Sequence, residues 1–363
     1  MNLPSNSQSA GILPPTKQTA ADRENYFVQL SAAAETALRR KGLVEKTFQI
    51  NGNSFVMRCA GTVMTKAMTR ALSHLATGQK EGASLVIDCW DITDSGVECP
   101  YPEGTTYQPG KRGEMIGLDC PEMRMAYYPW NKLANVFFPD HHRAFYCIVD
   151  ANRVPVEQLA APAYTIFSWW LATRGLQFAH TAVVGTERCG LLILGHGGAG
   201  KSTLSFSTIG SPLRYLSDDF CVLAPGEPLR ALALYSSGKL SEASLCLLPH
   251  LRPHAANADD RTREKAVFFL NEKFPAARIS DLPVRAMVLS HLSSFETSLS
   301  PITWREGVDI LAGSTMRELA GSGQEEILRI MRMTRHLPVY RLDHGLNTAD
   351  THKLLLQLCE TRI

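Results

Sequence analysis

Residues 195–202 read Gly195-His196-Gly197-Gly198-Ala199-Gly200-Lys201-Ser202, with Thr203 next. Small residues in that pattern let successive backbone N–H groups converge on one point, and the terminal lysine adds a mobile positive charge. Such a loop suits the cradling of a phosphate chain. In that chemistry the backbone of Gly195, Gly197, Gly198, Ala199, Gly200 and Thr203 surrounds the phosphates. The Lys201 ammonium reaches the β- and γ-phosphates, and the Ser202 hydroxyl ligates Mg²⁺. The G-x-x-x-x-G-K-[ST] spacing is complete, which points to a nucleoside triphosphate as ligand.

A phosphate cradle does not say what becomes of the nucleotide. The next informative residues are Asp218 and Asp219, sixteen positions after Ser202. Adjacent carboxylates at a strand end can divide two tasks, one holding Mg²⁺ and the other accepting the proton of an attacking hydroxyl. Taken alone, the pair could equally be a solvated turn; beside the loop, the chemical reading is favoured. His180 stands fifteen residues before Gly195. If its strand forms a hairpin with the strand feeding the loop, its side chain reaches the carboxylates and orients the base. A structural histidine is the competing reading.

These residues need elements to hold them. Leu191–Leu194 reads as a buried strand and Thr203-Leu204-Ser205-Phe206 opens a helix, so the loop lies between strand and helix. His180–Gly185, Tyr215–Leu223, Val284–Leu289 and Val339–Leu342 read as further strands, with helices over Thr315–Arg335 and Ala349–Glu360. That alternation predicts an α/β nucleotide-binding domain over 175–363. Upstream, Phe48–Cys59 reads as a hairpin turning at Asn51-Gly52-Asn53. Val63–Leu75 reads as a helix with Met64 and Met68 on its apolar stripe, and Leu85–Trp90 as a strand. After a loop at Pro100–Arg112, short strands are expected at Glu114–Leu118, Arg124–Tyr128, Asn135–Phe138 and Ala144–Val149. These predict an N-terminal α+β domain over 25–174 with an antiparallel sheet, and a helix through Tyr164–Ala172 bridging the halves. Residues 1–24 read as a disordered lead-in.

The 363 residues leave room for two domains, and 45% hydrophobic with 20% charged residues is ordinary for a globular chain. A formal charge of +2 without a dense Lys/Arg block leaves no electrostatic footprint for nucleic acid or a membrane surface. No apolar run approaches the ~20 residues of a membrane span, and Met1–Gln18 lacks the apolar core of a signal peptide. Nine cysteines, an odd number without a C-x-x-C pair, fit buried thiols in a reducing cytoplasm better than disulfides or zinc. His250 and His254 have helical ligand spacing but enclose Pro253, which argues against a metal pair. Asp140-His141-His142 reads as a turn. Lys239, after a Ser-Ser-Gly turn, is either a phosphate contact or a solvated lysine. Arg261, Arg263 and Lys265 are either surface ion pairs or the source of a charge-stabilising finger.

In order and spacing, His180-Thr181-Ala182-Val183-Val184, the loop through Thr203, and Leu216-Ser217-Asp218-Asp219 resemble the HPr kinase/phosphorylase family over residues 178–225. Leu234–Leu240, Glu264–Ala266, Leu282–Ala286 and the Trp169-Trp170-Leu171-Ala172 segment look more like a divergent branch, the kinases encoded with lasso-peptide precursors. The resemblance implies a P-loop core of HPr-kinase/PEP-carboxykinase type. It also implies transfer of the γ-phosphoryl group of ATP, with Mg²⁺, to a peptide serine, in that branch the C-terminal serine of the precursor. It carries over Lys201 and Ser202 as phosphate and metal contacts, and Asp218 and Asp219 as the base and metal-associated pair. Asp219 then joins Ser202 on the metal, and His180 is the partner of the two carboxylates. The family's later segment tied to dephosphorylation has no clear counterpart, which counts against phosphorylase activity and against HPr as substrate. The expectation is a cytoplasmic serine kinase acting on a precursor peptide, with no nucleic-acid or membrane partner and homo-oligomerisation left open. Competing readings are a kinase for free serine or a sugar, and a nucleotide-gated binding protein.

Overall fold

A computed structural model describes residues 18–78, 82–102, 110–129, 132–258, 265–293, 296–345 and 348–361. Helix α1 (Ala20–Lys41) opens on a capping box in which the Thr19 side chain accepts from the Asp22 N–H and the Asp22 carboxylate accepts from the Thr19 N–H at 2.8 Å. It buries Tyr26, Leu30, Ala34, Ala37 and Leu38 along one stripe. The lead-in expected over 1–24 is therefore corrected at its far end, where 20–24 are helix; residues 1–17 lie outside the described residues.

Strands β1 (Leu43–Ile50) and β2 (Asn53–Ala60) form the expected hairpin, with Asn51 and Gly52 both at positive φ as a two-residue hairpin turn requires. Helix α2 (Gly61–Thr69) continues as a 3₁₀ turn to Leu75 and buries Met64 and Met68. Then follow β3 (Val86–Asp91), the single turn α3 (Ile92–Ser95), β4 (Arg124–Tyr128), β5 (Leu133–Phe138) and β6 (Arg143–Ile148). The six strands lie in the order β1-β2-β3-β6-β5-β4. This sheet is mixed rather than antiparallel: β3 runs parallel to both β2 and β6, because a strand reached over a long crossover can return in the same direction. Glu114–Leu118 is not a strand. It makes an isolated bridge from Glu114 to Ala126, and a turn closes it from the Leu118 N–H to the Met115 carbonyl at 3.0 Å.

Helices α4 (Val156–Ala160) and α5 (Tyr164–Thr173) lead to β7 (Gln177–His180), β8 (Ala182–Thr186) and β9 (Cys189–Leu194). After the glycine-rich loop come α6 (Lys201–Ser207), β10 (Arg214–Ser217), β11 (Phe220–Ala224), β12 (Arg230–Leu232), β13 (Ser237–Ser241) and α7 (Glu242–Leu247). The chain then forms β14 (Lys265–Phe269), α8 (Leu270–Lys273), β15 (Asp281–Leu292), β16 (Ser298–Ile302) and α9 (Trp304–Glu318). It ends with α10 (Gln324–Thr334), β17 (Val339–His344) and α11 (Thr348–Glu360). The second sheet has the order β10-β8-β9-β15-β12-β11-β7, with β17 on β15 and β16 on β17. Within it β15 runs parallel to β9 and β17, and β13 pairs with β14 as a separate ribbon. The architecture is mixed α/β with two mixed sheets. The helix expected over Thr315–Arg335 is two helices, broken around Gly321 at φ +68.

Helix α5 is apolar nearly all round and is buried on all sides accordingly. Phe167 and Trp170 meet Phe55 of β2 at ring-centroid distances of 4.9 and 5.5 Å, and Phe167 meets Tyr235 at 6.3 Å. The Trp169 indole N–H donates to the Ala320 carbonyl at 2.8 Å. One hydrophobic core thus runs from Phe48 of the first sheet to Ala320 beyond the second. All nine cysteines are free thiols and six are buried. Among the described residues no helix is long and apolar enough to cross a membrane.

Candidate functional site

Strand β9 is buried at every residue and delivers the chain to Gly195. There φ is +153°, and Gly198 and Gly200 sit at +82° and +83°. A Cβ at Gly195 would lie 2.8 Å from that of Ala199, so the loop's tight return needs glycine at its start. The Lys201 ammonium donates to the carbonyls of Gly195 at 2.8 Å and His196 at 3.2 Å, which folds it over the loop. Burial lowers its pKa, against the pull of Asp219 and Asp218. The Ser290 hydroxyl of β15 donates to the Ala199 carbonyl at 2.7 Å and lies 2.8 Å from His344 Nε2. Both side chains are buried. Sequence reasoning missed this brace. It exists because β15 runs beside β9 with Leu289 opposite Leu194, which sets Ser290 level with the loop.

Asp218 and Asp219 form the turn between β10 and β11. Strand β11 pairs with β7, placing Phe220 opposite His180, and His180 Nε2 lies 2.8 Å from Asp219 Oδ1. The expected contact is present, but the route to it is corrected. The loop strand β9 pairs with β8, and the stretch expected as one strand over His180–Gly185 is broken at Thr181, whose hydroxyl donates to the Ile193 carbonyl at 3.0 Å. His180 reaches the carboxylates through β11 instead.

Lys239 completes the group. Its ammonium is 2.8 Å from Asp219 Oδ2, and its backbone N–H donates to Asp218 Oδ2 at 3.2 Å. The Tyr215 hydroxyl donates to Asp218 Oδ1 at 2.8 Å. Of the two readings open for Lys239, a solvated lysine is excluded, since it is 9% exposed. Burial and the neighbouring charge of Asp219 push the Asp218 carboxyl up to about 6. Burial also acts to raise Asp219, but the Lys239 charge and the His180 hydrogen bond outweigh it and hold Asp219 well below the usual carboxylate range. Two adjacent carboxyls are thereby split in basicity, one ionised throughout and one poised near neutrality.

A cleft of about 450 Å³ opens over the loop, lined by Gly198–Leu204, Asp219, Lys239 and Lys265 among others. Such a volume suits a small-molecule ligand. Lys201, Ser202, Thr203 and Asp219 share this cleft, whereas Asp218 lies 3% exposed at its back, in a recess between Ala160 and Tyr235. His254 packs its ring against Phe274 in a 3₁₀ turn; Arg261 and Arg263 lie outside the described residues. Among the described residues no cluster of three or more His, Cys, Asp or Glu is arranged to hold a metal. Mg²⁺ does not need one, because it is commonly held by one or two protein oxygens together with substrate phosphates and water. Ser202 and the ionised Asp219, facing one cleft, fit that donor set. No protein-family model and no curated protein matches the chain.

Proposed function

We propose that the chain is an ATP- and Mg²⁺-dependent kinase that phosphorylates a serine hydroxyl of a peptide, with β9, the glycine loop and α6 as its phosphate-binding core. The resemblance to the divergent branch of kinases encoded with lasso-peptide precursors suggests as acceptor the C-terminal serine of a ribosomally made precursor. The observation that carries the reading is the adjacent carboxyl pair Asp218–Asp219, held by Lys239, His180 and Tyr215 beside the glycine loop. The loop amides and Lys201 would hold the phosphates, and Ser202 with Asp219 would hold Mg²⁺. When bound, that ion neutralises charge on the phosphates. Asp218 accepts the serine proton, a task suited to a carboxylate whose basicity is near the working pH. Lys239 and His180 keep Asp219 ionised and oriented. Positioning and electrostatics then supply the rate, with no covalent enzyme intermediate. Free thiols throughout suit a reducing compartment such as the cytoplasm.

The test is incubation of the protein with Mg²⁺-ATP and serine-terminated peptides, followed by mass spectrometry. The expected result is one added phosphoryl group on the serine. ATP turnover that yields inorganic phosphate alone would sink the reading. Phosphorylation of free serine or a sugar, with peptides left untouched, would replace it by a small-molecule kinase.

A further inference from the structure

The cleft over the glycine loop changes character along its length. Its charged part gathers where the Lys239 ammonium meets Asp219 at 2.8 Å, with Lys201 close enough to feel both carboxyls of the turn. From there one wall can be followed outward. Lys239 and Ser241 stand two residues apart on β13, so they share a face, and both line the cleft. Next on this wall are Ala243, Ser244 and Leu247 of α7. Ser244 Oγ lies 2.8 Å from Thr203 Oγ1 in the first turn of α6, which fixes α7 beside the loop's far end. Leu247, one turn beyond Ser244, is 45% exposed.

A second wall comes from the ends of β15 and β17. Leu292 stands opposite His344 in the register of these strands and is 49% exposed. It leans over the loop, since a Cβ built on Gly200 would lie 3.2 Å from Leu292 Cδ2. Gly345 and, at the start of α11, Thr348 continue this wall. A single exposed leucine on a protein surface carries no message. Two of them, from separate elements, in one concave space of about 450 Å³ do. Small-molecule clefts join apolar walls to a few placed polar groups.

We infer that Leu247 and Leu292 form the nucleobase end of the cleft. The base packs against the two leucines while the loop amides, Lys201 and Ser202 hold the phosphates. A nucleotide is a flat ring with apolar faces and an anionic tail, and the cleft passes in the same order from leucine to ammonium. The inference rests on the nucleotide part of the proposed function and does not depend on which hydroxyl accepts the phosphoryl group.

Isothermal titration calorimetry with Mg²⁺-ADP and with Mg²⁺-pyrophosphate, which keeps the diphosphate and lacks the nucleoside, tests it. Leu247→Asn and Leu292→Asn are each expected to weaken Mg²⁺-ADP about tenfold, as the loss of one side chain's apolar contact should. Pyrophosphate affinity and the melting temperature should stay as in the wild type, because both positions are exposed. Leu247→Met, which restores an apolar side chain, should keep ADP binding. Unchanged ADP affinity in both asparagine variants would overturn the inference. So would a parallel loss of pyrophosphate affinity, which would make the leucines props of the loop rather than contacts of the base. Binding of neither ligand by the wild type would remove the nucleotide reading and the base site together. Leucine-dependent ADP binding without phosphoryl transfer to any serine would instead overturn the kinase reading and leave the base site standing.

Discussion

Lys239 touches both carboxyls of the turn, its ammonium on Asp219 and its backbone N–H on Asp218. Replacing it by methionine leaves Asp219, at the wall of the cleft, with His180 as a partner but without its cation. Lys239→Met should therefore cost about 3 kcal/mol in urea unfolding at neutral pH. The pH dependence has a definite sign. Asp219 is held ionised in the folded state, so its stabilisation is present above the ordinary carboxylate range, about pH 4, and is lost as the pH falls below it. In Lys239→Met that acid-side loss should shrink, which unfolding curves at several pH values would show. Asp218 is shifted the other way, and its role is read in kinetics. The wild-type kcat/KM should rise as pH passes about 6, where Asp218 loses its proton. Asp218→Asn should lower the transfer rate by about 10²–10⁴ and abolish that rise, with Mg²⁺-ATP affinity retained. Retention of most of the rate would hand the proton to another group. At this scale the types of the site residues and the approach of His180 to the carboxylates were legible in the sequence, but the partners of Lys239 were not. Whether Lys239 met solvent or a carboxylate depended on the ribbon folding over Asp218, which no local pattern encodes.

The loop is shaped by elements far from it in the chain. Ser290 at the end of β15 and His344 at the end of β17 brace the Ala199 carbonyl from behind, and they meet because both strands run parallel in one register. Ser290→Ala removes a hydrogen bond that fixes the loop without touching a reacting atom. It should raise the KM for ATP by roughly tenfold with kcat little changed, measured in steady-state kinetics. An unchanged KM would mean that the glycines hold the loop's shape by themselves. Strand, loop and helix were readable from residues 191–206 because their signal is contiguous. The brace was not, because register between distant strands is a tertiary property. His180 shows the intermediate case: the contact with the carboxylates was foreseen, while the strand that makes it, β11 rather than β9, was not. Glu114–Leu118 looked like a short strand, yet beyond Met115 a turn took the backbone groups that a ladder would have used.

The two sheets are joined through α5, whose aromatic residues pack against Phe55 on one side and Tyr235 on the other. Because one hydrophobic cluster reaches both sheets and contains Trp170, Trp170→Ala should cost about 3–5 kcal/mol and lower one cooperative calorimetric transition. Two separate transitions would show that the halves fold independently. The apolar run of α5 marked it as a bridge in the sequence, whereas the mixed direction of the first sheet was hidden, since strand direction is set by crossovers and not by composition. The shared core also bears on how the protein is made. When Thr173 leaves the ribosome, Trp169 and Phe167 still lack their partners Ala320 and Tyr235. At about 5–20 residues per second, the 147 residues from Thr173 to Ala320 take roughly 7–30 s to synthesise. For that interval Trp169 of the nascent chain lacks the carbonyl that its indole N–H meets, and Phe167 lacks Tyr235 for the first part of it, which makes α5 a natural landing place for a chaperone that acts during translation.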